Sequence, residues 1–274
     1  VTKLLTLCLF LSSLSWSAEN TKDLNPIGDL VVYTAKKIIT MEPALPEATA
    51  VAVADGKIVA VGSLKSLDSW IKQTNSRIDR RFEGKVIMPG FIDPHVHPSL
   101  PAVPTQFAFI APDNWSLPTG EFPGAKTPEA YIKRLEQLAS EHTDKTIPFI
   151  AWGYHPLWHG TLFREQLTEL FPDQPVMLWH RSFHELIAND AALNLLGVTE
   201  ADLVGHPLTN WAKGHFYENG MYVLIPKMPF LFDPTRFGNG MQNFIQMVHQ
   251  GGVTTALDMG TGVFGNPDAE IKLI

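Results

Sequence analysis

Beyond residue 28 the chain begins with short runs in which apolar and polar residues alternate. Leu30-Val31-Val32-Tyr33-Thr34 and Lys37-Ile38-Ile39-Thr40 read as strands, as do Ala50-Val51-Ala52-Val53-Ala54 and Lys57-Ile58-Val59-Ala60-Val61. The Asp55-Gly56 pair between the last two predicts a type I′ hairpin, because that turn needs positive φ at both central positions. A short helix from about Leu64 to Ile71 and a strand near Arg81 complete a small β unit over residues 28–85.

From residue 86 the period changes. Lys85-Val86-Ile87-Met88 is an apolar run that stops at Pro89-Gly90 and resumes as Phe91-Ile92-Asp93. A proline-broken loop reaches Lys126. Thr127-Pro128-Glu129 then carries a helix start, with a cap, a first-turn proline and an early acid. Ile132, Leu135, Leu138 and Ala139 fall on one face of that helix. There follow a strand Phe149–Trp152, a helix Arg164–Phe171, a strand Val176–Trp179 and a helix from about Asn189 to Gly197. After a second long loop to about Phe237 come a helix Met241–Gln250 and a strand Val253–Leu257. Strands alternating with helices predict parallel β/α units, four of them, so residues 86–274 read as an α/β domain.

Composition narrows the function classes. Hydrophobic residues make up 45% and charged residues 18% of the chain, which excludes a disordered or fibrous protein. The formal net charge of −7 argues against a nucleic-acid partner, since a phosphate backbone selects a basic excess. The single cysteine, Cys8, excludes an internal disulfide and a cysteine zinc site. Cys8 lies inside an apolar run, Leu4 to Leu11, preceded by Lys3 and followed by small polar residues. That order predicts a signal peptide over residues 1–17, with Ser15 and Ser17 at the −3 and −1 positions of the cleavage site. The protein is then exported, periplasmic or secreted. The run is too short for a stable membrane anchor; a buried N-terminal helix is the bland alternative. Val1 in place of an initiator methionine points to an alternative start codon or a trimmed N-terminus.

The chemistry concentrates in Met88-Pro89-Gly90-Phe91-Ile92-Asp93-Pro94-His95-Val96-His97. Residues two apart on a strand share a face, so the imidazoles of His95 and His97 project together. Two neutral imidazoles at the C-terminal end of an apolar strand are half of a divalent-metal site. The alternative is a pair of loop histidines held by backbone carbonyls. Three more residues end predicted strands or follow them closely: His155, His184 and Asp258. Each is a candidate to face an active site, against structural hydrogen bonding in the loop. Trp115, Trp158, Trp211 and Phe216 could line an apolar pocket, or simply fill the core.

Here a resemblance enters. The hairpin Ala54 to Gly62, the block Gly84 to His97, Trp152-Gly153-Tyr154-His155, Phe171 to Val176, His184 to Leu193 and Gly251-Gly252-Val253-Thr254-Thr255 are together similar to the amidohydrolase superfamily, in its amidohydrolase-3 branch, which includes N-substituted formamide deformylase-like enzymes. The resemblance implies a metal-centred (β/α)8 barrel beside a β-sandwich built from both chain ends. It implies hydrolysis of a non-peptide C–N bond in a small amide-like substrate, with His95 and His97 as ligands of a divalent, Zn²⁺-like ion and an acid on the last barrel strand moving the proton. A cyclic-amide hydrolase or a deaminase would share the same motif. Four β/α units cannot close eight strands, so residues 86–274 read as the first half of a barrel and the chain as the N-terminal half of an enzyme. A short protein that pairs two copies, or a non-catalytic metal- or small-molecule-binding remnant, is the competing expectation.

Overall fold

The computed structural model describes residues 29–73, 75–262, 264 and 267–273. The predicted export segment lies outside them. Among the described residues no helix is long and apolar enough to cross a membrane. The chain divides into two compact units between Pro89 and Gly90, a short way past the expected 85/86 boundary.

The first unit is a four-stranded sheet. Its elements are β1 (Leu30–Ile39), β2 (Glu47–Ala54), β3 (Lys57–Gly62), α1 (Asp68–Gln73) and β4 (Ser76–Ile87), with strand order β3-β2-β1-β4. Strand β1 is antiparallel to β2 and parallel to β4. The two strands expected before Thr40 are one, interrupted only by a register shift between Thr34 and Ile38. Asp55 (φ 49°) and Gly56 (φ 71°) make the predicted turn between β2 and β3. Helix α1 starts later than Leu64 because Ser63 and Ser66 bond each other's backbone N–H, holding a turn where the helix would begin. Alternate residues on one face, Leu30, Val32, Ala50, Ala52 and Ala54, bury against Leu67.

The second unit is mixed α/β. Its elements run β5 (Phe91–Val96), α2 (Ser99–Ala102), β6 (Ala108–Phe109), β7 (Trp115–Leu117), β8 (Gly120–Phe122), α3 (Pro128–Glu141), β9 (Phe149–Tyr154), α4 (Pro156–His159) and α5 (Arg164–Leu170). Then come β10 (Val176–His180), β11 (Glu185–Ala188), α6 (Asp190–Leu195), β12 (Thr209–Asn210), β13 (His215–Tyr217), α7 (Pro234–Gln250), β14 (Val253–Asp258) and α8 (Pro267–Leu273).

The four expected strands of one parallel sheet are divided between two sheets. Strands β9 and β10 lie in a six-stranded sheet of order β12-β13-β11-β10-β9-β6, whereas β5 pairs directly and in parallel with β14. The expectation of four consecutive parallel neighbours fails at β11. Residues 185–188 are not among the expected strands, but Phe183 takes a left-handed φ of 69° and turns the chain back, so β11 runs antiparallel along β10. It thereby occupies the edge that a further parallel strand would need.

Every residue of β9 and β10 is buried, as a strand covered on both faces requires. Ile150, Trp152, Met177 and Trp179 face one core; Phe149, Ala151, Val176 and Leu178 face the other, against Tyr131, Leu135 and Ala139 of α3. Helix α3 begins as predicted, with Thr127 accepting from Ala130 N (3.2 Å) and Pro128 in the first turn. Its buried stripe gains Tyr131, while Ile132 is only half-buried. Gly153 (φ 110°) is the extra residue where the β9–β10 register shifts, and a Cβ there would stand 2.5 Å from the Ile110 carbonyl oxygen. Helix α7 starts at Pro234, well before Met241, because Asp233 caps Arg236 N (2.9 Å) and Pro234 fits the first turn.

Candidate functional site

The site grows from the end of β5. Backbone pairing sets Asp93 beside Ala256 and Val96 beside Asp258, so β14 fixes the direction of the strand. Asp93 Oδ1 accepts from His95 N (3.0 Å), and Leu100 N donates to the His97 carbonyl (3.0 Å) as α2 begins. Between these two anchors the His95 and His97 rings meet edge to face, with centroids 5.2 Å apart at 89°. His97 Nδ1 is buried and has no hydrogen-bond partner among the described residues. A buried polar atom left unbonded costs free energy, about 1–3 kcal/mol, unless a ligand takes it up.

Both rings border a cavity of about 770 Å³. The opposite wall comes from the six-stranded sheet. Phe109 of β6 packs at a tilt against Trp152 of β9 at 4.5 Å and meets Trp115 at 5.2 Å, and Phe183 lies 5.3 Å from Trp152. Phe264 and Met247 contribute from the segments flanking β14. Trp152 Nε1 is a second buried polar atom without a partner among the described residues.

Polar groups reach the same cavity at the turn after β10. Ser182 Oγ lies 2.7 Å from His180 Nδ1, and Ser182 N donates to that nitrogen at 3.1 Å. His180 Nδ1 is therefore an acceptor, and the proton sits on Nε2. Burial pushes the His180 pKa down, with the Glu185 carboxylate pulling the other way, so the ring is neutral at pH 7. His184 lines the cavity, and its Nδ1 meets Glu218 Oε2 at 3.0 Å. Glu218 N returns a bond to the His184 carbonyl at 2.8 Å, with Glu218 itself at a left-handed φ of 49°.

Of the sequence candidates, His95, His97 and His184 border one cavity. His155 and Asp258 do not. His155 Nδ1 accepts from Leu157 N (3.1 Å) at the start of α4, and the ring lies against Trp158 and His180. Asp258 closes a turn, accepting from Gly260 N (2.9 Å) and Thr261 Oγ1 (2.7 Å). Among the aromatics, Trp115 lines the cavity, Phe216 is core, and Trp158 and Trp211 carry the guanidinium groups of Arg181 and Arg164. Glu218, Ser182 and Phe183 escaped the sequence reading; two left-handed residues without glycine leave no composition signal. Among the described residues no three His, Cys, Asp or Glu side chains gather to hold an ion, so His95 and His97 stand as a pair.

Residues 82–274 match the family model described as the amidohydrolase family. The chain is 29% identical over 197 residues to N-substituted formamide deformylase of Arthrobacter pascens, covering 65% of this chain and 33% of that protein. It is 26% identical over 247 residues to exoenzymes regulatory protein AepA of Pectobacterium carotovorum subsp. carotovorum, covering 84% and 49%. It is 28% identical over 211 residues to protein LONG AFTER FAR-RED 3 of Arabidopsis thaliana, covering 74% and 33%. The chain thus spans half or less of the length of these curated relatives. In fold it is similar to the crystal structure of an uncharacterized metal-dependent hydrolase from Pyrococcus horikoshii OT3, with a TM-score of 0.62 at 18% identity over 85% of this chain and 43% of that one. A second such hydrolase, from Pyrococcus furiosus, gives 0.59 at 16% identity, over 85% of this chain and 44% of that one.

Proposed function

The chain belongs to the amidohydrolase family over residues 82–274, and from that premise we propose that it forms part of a metal-dependent hydrolase acting on a non-peptide carbon–nitrogen bond. The observation that carries this reading is the His95–His97 pair, ring centroids 5.2 Å apart on the wall of a large cavity, with a buried Nδ1 on His97 that has no partner among the described residues. Two imidazoles, one with a buried ring nitrogen that has no partner among the described residues, fit a divalent ion such as Zn²⁺. Such an ion, when bound, supplies a water of lowered pKa and polarises a substrate carbonyl.

The chain's own residues hold the rest of the site. Asp93 fixes the turn that aims His95. Phe109, Trp115, Trp152 and Phe183 exclude water and bind the organic part of the substrate. Ser182 Oγ, already bonded to the neutral His180, is placed to hold a polar substrate atom.

The finer reading of the fold is that β5 and β14 are neighbouring strands of a (β/α)8 barrel that further strands complete. Their parallel pairing supports it, as do the exposed Ile92 and Leu257 on a two-stranded sheet that is too small to be stable alone. The missing ligands and the group that moves the proton then lie on those further strands, and this chain is a fragment of the whole enzyme. The share of each relative that the chain covers supports the same reading. The order of Lys3, apolar run and Ser15/Ser17 supports export.

One observation favours a second reading, a non-catalytic binding protein: among the described residues only two candidate ligands converge. Metal counting together with turnover separates the two. The chain is stripped with a chelator, reloaded with Zn²⁺ and assayed on N-formyl amines, N-acyl amines, a cyclic amide and an aminopyrimidine. Expected are an ion lost on His95→Ala or His97→Ala, and turnover only when the further strands are supplied. Metal binding indifferent to both substitutions would defeat the assignment.

A further inference from the structure

The cavity's lining is chemically one-sided. Among its described residues there is no lysine or arginine, and one carboxylate, Glu218. Eight of its described lining residues are Phe, Trp or Tyr, and the negative faces of their rings attract cations. An anionic substrate arm would find no lysine or arginine among the described lining residues, whereas a cationic arm would find both ring faces and a carboxylate.

The backbone around that carboxylate is held in an unfavourable conformation. Glu218 (φ 49°) and Phe183 (φ 69°) are both left-handed without being glycine, and both line the cavity. Such residues persist only where the surroundings over-determine them, and they gather at functional sites. Here the surroundings are explicit. Glu218 N donates to the His184 carbonyl at 2.8 Å, and Glu218 Oε2 takes His184 Nδ1 at 3.0 Å. Two bonds thus tie the loop before Tyr222 to the turn after β10 and fix the carboxylate at the cavity wall.

We infer that this cavity selects substrates whose apolar arm carries an organic ammonium group, with Glu218 as the counter-ion and the aromatic wall around it. The inference rests on the reading of the cavity as the substrate site. Glu218 is here a specificity residue, remote from His95 and His97 in its role, and shares its carboxylate between His184 and the ligand.

The test compares two probes of one shape, 2-phenylethylammonium and 2-phenylethanol, titrated into the full chain without added metal and followed by tryptophan fluorescence. Trp115, Trp152 and Trp179 border the cavity and report directly. The cation is expected to bind about five-fold more tightly, the scale of a partly exposed cation–π and ion-pair contact. Glu218→Gln should reduce that preference, leaving only the share the ring faces supply, and leave the 2-phenylethanol affinity unchanged, which also shows that the variant is folded. Equal affinities in the parent chain, or a preference undiminished by Glu218→Gln, would overturn the inference while the cavity remains a binding site. Failure of both probes to bind would overturn the inference and the substrate-site reading together.

Discussion

At His159 the surroundings of one side chain dictate its charge. The ring is 1% exposed and stacks on Tyr131 at 4.1 Å; its Nδ1 accepts from His155 N (3.1 Å) and its Nε2 donates to the Ala125 carbonyl (2.8 Å). The neutral tautomer satisfies both nitrogens, and a second proton would drive Nδ1–H against a backbone N–H. Burial accordingly pushes the pKa down to about 4. The unfolded chain binds a proton at the ordinary value of about 6.5, so it holds more protons than the folded one between the two values. The stability contributed by His159 is full above about pH 6.5 and is lost as pH falls toward 4. Melting temperatures recorded across that window should fall for the parent chain and fall less steeply for His159→Gln, whose stability at pH 7 is lower by about 1–3 kcal/mol. Parallel slopes would contradict the assignment. The same scale separates what could be read from sequence at the site. Strand period placed His95 and His97 together, since residues i and i+2 share a face. His155 was readable as the residue after a strand, but its role is decided by capture of the Leu157 amide. Glu218 reaches His184 from far along the chain, and no local pattern encodes that meeting.

Asn189 shows how one residue organises three elements. Its Oδ1 accepts from Val176 N (3.0 Å) at the start of β10 and from Ala192 N (2.9 Å) in α6; its Nδ2 donates to the carbonyls of Phe171 (2.9 Å) and Gln174 (2.8 Å) after α5. The side chain is fully buried, so truncation strands several backbone groups at once. Asn189→Ala should cost about 2–4 kcal/mol in urea unfolding, a lost cap plus unsatisfied buried amides; a cost below about 1 kcal/mol would mean that water replaces the network. Helices α2 and α7 make a tighter contact, since a Cβ on Gly240 would lie 1.7 Å from the Ala102 carbonyl oxygen. Gly240→Ala is therefore expected to lower stability, against the usual gain from replacing glycine within a helix. An unchanged or raised melting temperature would contradict it. Helix starts and the Asp55-Gly56 turn were legible because caps and turns are local. Sheet membership was not: period and propensity report strands, whereas the antiparallel β11 and the separation of β5 and β14 from β9 and β10 depend on a reversal at Phe183 and on pairing between distant segments.

At the scale of the molecule, the first unit is a four-stranded sheet and the second holds the cavity. The β5–β14 pair leaves Ile92 at 71%, Leu257 at 57% and Phe91 at 53% exposure. Exposed apolar side chains on an unextended sheet drive association. Light scattering should find concentration-dependent self-association, reduced by Ile92→Ser with little change in melting temperature, because an exposed position contributes little to stability. A chain that stays monomeric at all concentrations would count against the further strands that we propose. The central claim remains that His95 and His97 hold an ion. Diffraction from crystals of the chain soaked in Zn²⁺, collected on both sides of the zinc absorption edge, tests it most directly. The account predicts an anomalous peak within about 2.0–2.1 Å of a nitrogen on each of the two rings. A zinc peak elsewhere, with both imidazoles uncoordinated, would contradict it.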